Sequence, residues 1–206
     1  VIGMTNLPSH FRMGINHVKC YNNIRLGLGF HPQLISEHMT ELAIFESSVN
    51  QTSYIGEIGL DFSRDYIASK DIQLECLKRI LSSICEKKKI VSVHSRKAEK
   101  ELFTILKDFK IENVIFHWYS GPLNLIDDII NEGYYFSINE AMTLSESGRR
   151  IISKIPTDRI LTESDAPYNN KNNIFIWKFF CYFLPSLFIK TIDYFCFVTC
   201  ESLEMH

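Results

Sequence analysis

Six ionisable residues stand where the apolar runs of this chain end. His31 closes "GLGFHP", Glu57 lies within and Asp61 ends "YIGEIGLD", His94 follows "VSV", His117 follows "VIF", and Asp165 ends "ILTESD". Imidazoles and carboxylates ligate divalent cations and carry protons near neutral pH. Glu57 makes the strongest demand, because a carboxylate inside an apolar strand costs several kcal/mol unless something pairs with it. These residue types point to a cation, held by Glu57 jointly with His94, His117 and Asp165. Taken singly, a histidine at a strand end is ordinarily a polar surface residue, and an aspartate before Ala-Pro a turn or cap. Three of the seven histidines recur at such exits, however, and that argues for one shared site.

For these side chains to meet, the elements that carry them must converge. "VIGMTNLP", "IRLGLGFHP", "YIGEIGLDF", "KIVSVHSR", "NVIFHWYSG", "YYFSIN" and "RILTESDAP" predict seven short strands. Between them, residues 70–87 carry Ile72, Leu74, Leu77, Ile80, Leu81 and Ile84 at three-to-four spacing, and residues 97–110 carry Leu102, Ile105, Leu106 and Phe109 on one face. Those are amphipathic helices, and strand–helix alternation predicts a parallel sheet. Seven strands is one short of a (β/α)₈ TIM-type barrel, in which all carboxyl strand ends share the face that carries the active site. An open doubly wound sheet is the alternative.

The chain has 206 residues, enough for one good-sized core. Its formal net charge of −2 provides no basic footprint, so contact with nucleic acid would be local or carried by metal. Six cysteines are scattered without a Cys-x-x-Cys pair, which fits reduced thiols in a cytoplasmic protein. The opening residues do not read as a secretory leader. Composition changes near Lys171, with seven of the fifteen phenylalanines following Asn170. Lys178, Pro185, Lys190 and Asp193 interrupt that stretch, so it lacks the ~18 apolar residues of a membrane span. Residues 1–170 therefore read as a barrel domain. Residues 171–206 read as an atypical apolar tail, either a packing helix or a segment that aggregates when exposed.

"GFHP", "GEIGLD", "VHSR", "FHWYSG" and "LTESDAP", in this order over about residues 1–168, resemble the TatD family. Its members are metal-dependent deoxyribonucleases on a (β/α)₈ barrel of the amidohydrolase-like group. "HWYSG", "YYFSINEAM" and Thr5-Asn6 are also similar to a subgroup, the TatD-like members of bacterial Qat anti-phage systems. The resemblance implies roles residue by residue. Glu57 matches a carboxylate that can bridge two metals, and His94 and His117 match the imidazole ligands of one. Asp165 matches a ligand that can also accept a proton from the attacking water. His31 matches a pocket histidine near the phosphate, Arg96 would hold that phosphate, and Asp61 would orient a ligand from behind. The implied cofactor is Mg²⁺, Mn²⁺ or Zn²⁺, one or two per chain, and the implied substrate is DNA.

The chain departs from the pattern at both ends. It begins in what matches the family's second strand, without the His-x-His of the first, and no familiar last helix follows Asp165-Ala166-Pro167. The expectation is an incomplete barrel with two unpaired strand edges, binding about one cation tightly. In phosphodiester hydrolysis, metal ions generate hydroxide near neutral pH and neutralise charge on the phosphoryl oxygens. Trp118 or Tyr119 could stack on a base. The same barrel and ligands also support hydrolysis of a small amide, lactone or ester, and an inactive scaffolding protein is the non-enzymatic alternative.

Overall fold

A computed structural model of the chain describes residues 1–165 and, as backbone, Cys196–Cys200. All seven expected strands form: β1 (Ile2–Thr5), β2 (Arg25–Gly27), β3 (Tyr54–Asp61), β4 (Ile90–Arg96), β5 (Val114–His117), β6 (Tyr135–Ile138) and β7 (Ile160–Glu163). An eighth, β8 (Cys196–Cys200), was not expected. The strands lie in the order β2-β1-β8-β7-β6-β5-β4-β3, with every neighbouring pair parallel.

The helices are α1 (Pro8–Val18), α2 (Ile35–His38), α3 (Leu42–Ser48), α4 (Lys70–Ile84), α5 (Glu99–Asp108), α6 (Leu125–Asn131), α7 (Glu140–Leu144) and α8 (Glu146–Lys154). Local chemistry fixes several starts. Pro8 opens α1, where its missing N–H is no loss. Asn139 and Ser145 cap α7 and α8 through their side-chain oxygens. No described helix is long and apolar enough to cross a membrane.

The expected gap is absent. β8 lies between β7 and β1, with Phe197 in register with both Glu163 and Ile2. The sequence "CFVTC" is aromatic and β-branched, which suits a strand, and two open parallel edges form a ready template for such a segment. The expected packing helix in 171–206 falls on residues outside those described. At the sheet's two ends, β2 and β3 meet through a single bridge between Leu28 and Ile55, with Leu28 N–H donating to Tyr54 O and Gly56 N–H to Leu28 O. The two ends thus approach at this one bridge without a continuous ladder, a TIM-type barrel rather than the open doubly wound alternative.

Two-residue alternation sorts the side chains into layers. Ile2, Met4 and Ile115, with Tyr54, Ile90, Tyr135 and Leu161, form a small apolar cluster. Further along the same strand faces come His94, His117, Ser137 and Glu163, so a polar layer sits above an apolar plug. The opposite faces carry Val91, Val93, Val114, Phe116, Phe136 and Ile138, which join the main core with Leu77, Leu81, Leu102, Leu106 and Ile126 of the outer helices. Close strand contact is enforced at Gly59 (φ 141°), where a Cβ would lie 2.1 Å from the His94 carbonyl oxygen.

Candidate metal centre

Glu57 is 4% exposed, and three imidazoles converge on its Oε1. His94 Nδ1 lies 3.0 Å away, and His31 Nε2 and His117 Nε2 each 3.7 Å away. His117 Nε2 is also 3.5 Å from Asp165 Oδ1. Donor atoms of His31, Glu57 and His94 all lie within 4.8 Å of one another. The structure thus brings Glu57, His94, His117 and Asp165 to one end of the barrel, with His31 among them.

Each of two imidazoles is tethered from behind by a carboxylate. His94 Nε2 lies 3.1 Å from Asp61 Oδ2, which leaves Nδ1 facing Glu57. Asp61 is itself fixed: it accepts from Gln33 Nε2 at 2.8 Å and from Ser63 N–H at 2.9 Å, while Gln73 bonds its backbone N–H and carbonyl. His117 Nδ1 lies 2.6 Å from Glu163 Oε2, leaving Nε2 facing Glu57 and Asp165. Such outer carboxylates set the orientation of metal-ligating histidines.

The electrostatics follow from this crowding. Burial alone would raise the Glu57 carboxyl, but His117, His31 and His94 outweigh it and hold it well below the usual carboxylate range. Burial likewise opposes the shift at Asp61, whose hydrogen bonds with His94, Ser63 and Gln33 hold it low. His117 moves the other way: against its burial, Glu163, Glu57 and Asp165 push it up to about 10. His94 is also raised, because its bonds to Asp61 and Glu57 overcome burial. His31 falls to about 4, through burial and the neighbouring His94 and His117, despite Glu57.

The donor set fits a divalent cation. Four carboxyl groups (Glu57, Asp61, Glu163 and Asp165) meet three imidazoles in a cluster of low exposure, and a buried acidic excess calls for positive charge. Imidazole with carboxylate suits Zn²⁺, Mn²⁺ or Mg²⁺. The cluster opens into a cavity of about 570 Å³ whose walls include Asn6, Gln33, Arg96, Trp118 and Ser120.

A family model described as TatD related DNase matches residues 1–176. The chain belongs to the TatD family. An uncharacterized metal-dependent hydrolase of Methanocaldococcus jannaschii is 31% identical over 150 residues, covering 71% of this chain and 58% of that protein. The Homo sapiens deoxyribonuclease TATDN3 is 28% identical over 129 residues, covering 61% of this chain and 47% of its own length. The chain spans 58–60% of the length of the first curated relatives it matches. A crystal structure of a TatD homologue from Escherichia coli superposes with a TM-score of 0.73 at 24% identity, covering 81% of this chain and 67% of that one. A TatD family hydrolase from Entamoeba histolytica superposes with a TM-score of 0.67, also at 24% identity, covering 80% and 59%. These two likenesses concern the fold.

In this TatD-family chain the aromatic pair after β5 divides. Trp118, at φ 38°, is 36% exposed and lines the cavity. Tyr119 is buried, and its hydroxyl donates to Pro122 O. The expectation that either ring could stack on a base therefore fails for Tyr119. Asp165 also adopts a left-handed backbone (φ 47°), a conformation that aspartate enters more readily than most non-glycine residues. Arg96 lines the same cavity, on the exposed end of β4. Sequence reasoning missed Glu163, Ser137, Asn139 and Gln33. Glu163 carried a signal, since it precedes Asp165 by two residues on the strand that delivers it.

Proposed function

We propose that this chain acts as a metal-dependent phosphodiesterase on DNA, a deoxyribonuclease that takes single strands or strand ends. The observation that carries this reading is the convergence of three imidazole nitrogens on the Glu57 carboxylate, beside Asp165, in a cavity rimmed by Arg96. Glu57, His94, His117 and Asp165 would hold the cation. When bound, it would supply a hydroxide source near neutral pH and neutralise phosphoryl charge.

The protein's own groups have separate tasks. Asp165, beside His117, accepts the proton of the attacking water. His31 stays neutral at physiological pH, which lets it meet an anionic diester without carrying off the site's charge balance. Arg96 presents a guanidinium that can grip a phosphate by two parallel bonds. Trp118 offers a partly exposed ring on which a splayed base can stack. The free thiols of Cys20, Cys76 and Cys85 suit a reducing compartment such as the cytoplasm. In this reading the catalytic barrel comprises residues 1–170 together with β8, so the expected boundary at 170 does not separate the tail from the sheet.

The test is a substrate panel with Mn²⁺, Mg²⁺ and Zn²⁺: single-stranded DNA, duplex DNA, RNA, bis-p-nitrophenyl phosphate, and small esters, lactones and amides. Metal-dependent cleavage of single-stranded DNA, lost in His117→Ala, is expected. Turnover of the lactone or amide alone would replace the phosphodiesterase with an amidohydrolase-type reading. Metal binding without turnover of any substrate would replace it with a scaffold.

A further inference from the structure

We infer that Glu163 is a positioning residue that fixes His117 for the cation, an inference that rests on the metal-site reading above. Glu163 is buried on β7, and three side chains from β5, β6 and the N-cap of α7 address its carboxylate. His117 Nδ1 meets Oε2 at 2.6 Å, Ser137 Oγ donates to the same oxygen, and Asn139 Nδ2 donates to Oε1 at 3.2 Å. Asn139 is doubly used, because its Oδ1 accepts the Met142 N–H at 3.1 Å and caps α7. Ser137 and Asn139 are themselves buried. The carboxylate is thus gripped from β5, β6 and the start of α7.

This grip determines what His117 presents. An imidazole has one nitrogen that can carry a proton while the other offers a lone pair, and a carboxylate beside one nitrogen keeps the proton there. With Nδ1 held by Glu163, Nε2 is the nitrogen left facing the site, 3.7 Å from Glu57 and 3.5 Å from Asp165, and it is the one that offers its lone pair once a cation displaces its proton. The bond also fixes the ring plane. A carboxylate meant only to satisfy Ser137 and Asn139 would not need the short contact to His117.

Glu163→Gln keeps the side chain's size and one acceptor oxygen but removes the charge. It should weaken Mn²⁺ binding by about 10–100-fold, the usual effect of losing such an outer partner. Glu163→Asp should recover part of that loss, and Ser137→Ala, which leaves the His117 contact, should change affinity less than threefold. Calorimetric titration of the full chain with Mn²⁺ reads all three. A purely structural role predicts a lower melting temperature with unchanged Mn²⁺ affinity for Glu163→Gln, and that result would overturn the inference while leaving the metal site intact. Should the unsubstituted chain bind no metal, the functional reading fails instead. The inference is then judged on the metal-free chain, where ¹⁵N-histidine NMR should show a protected Nδ1–H on His117 that is lost or shifted in Glu163→Gln. An unchanged resonance overturns it.

Discussion

His117 carries the sharpest consequence at the scale of single residues. Its metal-free pKa near 10 means that Nε2 holds a proton at neutral pH, and a bound cation must displace it. Metal affinity should therefore rise with pH, by about tenfold per unit for each proton released, and level off as pH nears 10. His31, near 4, contributes no competing proton at neutral pH. Calorimetry in buffers of different ionisation heat should find about one proton or more released per ion at pH 7; zero release would contradict the assignment. The metal-free fold should behave oppositely. His117's pKa is raised on folding, so its contribution is complete below its ordinary 6.5 and is lost as pH climbs toward about 10. Heating curves of the metal-free chain should show this term falling over that window, while excess metal reverses the trend.

Strand packing sets the predictions at the scale of elements. Gly59→Ala would drive a Cβ into the His94 carbonyl at a backbone angle that disfavours side chains. It should destabilise the fold by roughly 1–3 kcal/mol and weaken metal binding, because His94 moves with β4. Urea unfolding with metal titration reads both, and wild-type values in each would show that β3 and β4 are not held this closely. Leu81→Ala, in the buried stripe of α4, should cost about 2–5 kcal/mol with metal affinity unchanged once folded. This level also shows what the sequence made legible. Alternation of apolar and polar residues located all seven strands and the polar exits, because the period of two is a direct imprint of burial. It did not separate Trp118 from Tyr119, since β5 ends at His117 and the left-handed turn at Trp118 breaks the parity. Nor did it single out Glu163: the spacing of two from Asp165 places it on the same strand face, but what it grips depends on β5, β6 and β7 lying side by side.

β8 decides the account at the scale of the whole molecule. Cys196–Cys200 sits in a run of aromatics without polar alternation, so its β-favouring composition did not set it apart from the apolar residues around it. Its role emerges only from the two open edges of β1 and β7. Replacing Val198 by Pro removes a ladder donor from a strand paired on both sides. The variant should melt lower and aggregate faster by light scattering, with the site residues otherwise intact; an unchanged melting curve would mean that β8 does not hold the sheet together. The site depends on that sheet, since its donors come from five separate strand ends. The account's central claim is that these ends hold a cation. Crystals grown with Mn²⁺ and measured at the manganese absorption edge test it directly. An anomalous peak bounded by Glu57, His94 and His117, with Asp165 in reach, is the predicted result; a chain whose only peaks lie away from these residues, or that shows none at saturating Mn²⁺, would contradict it.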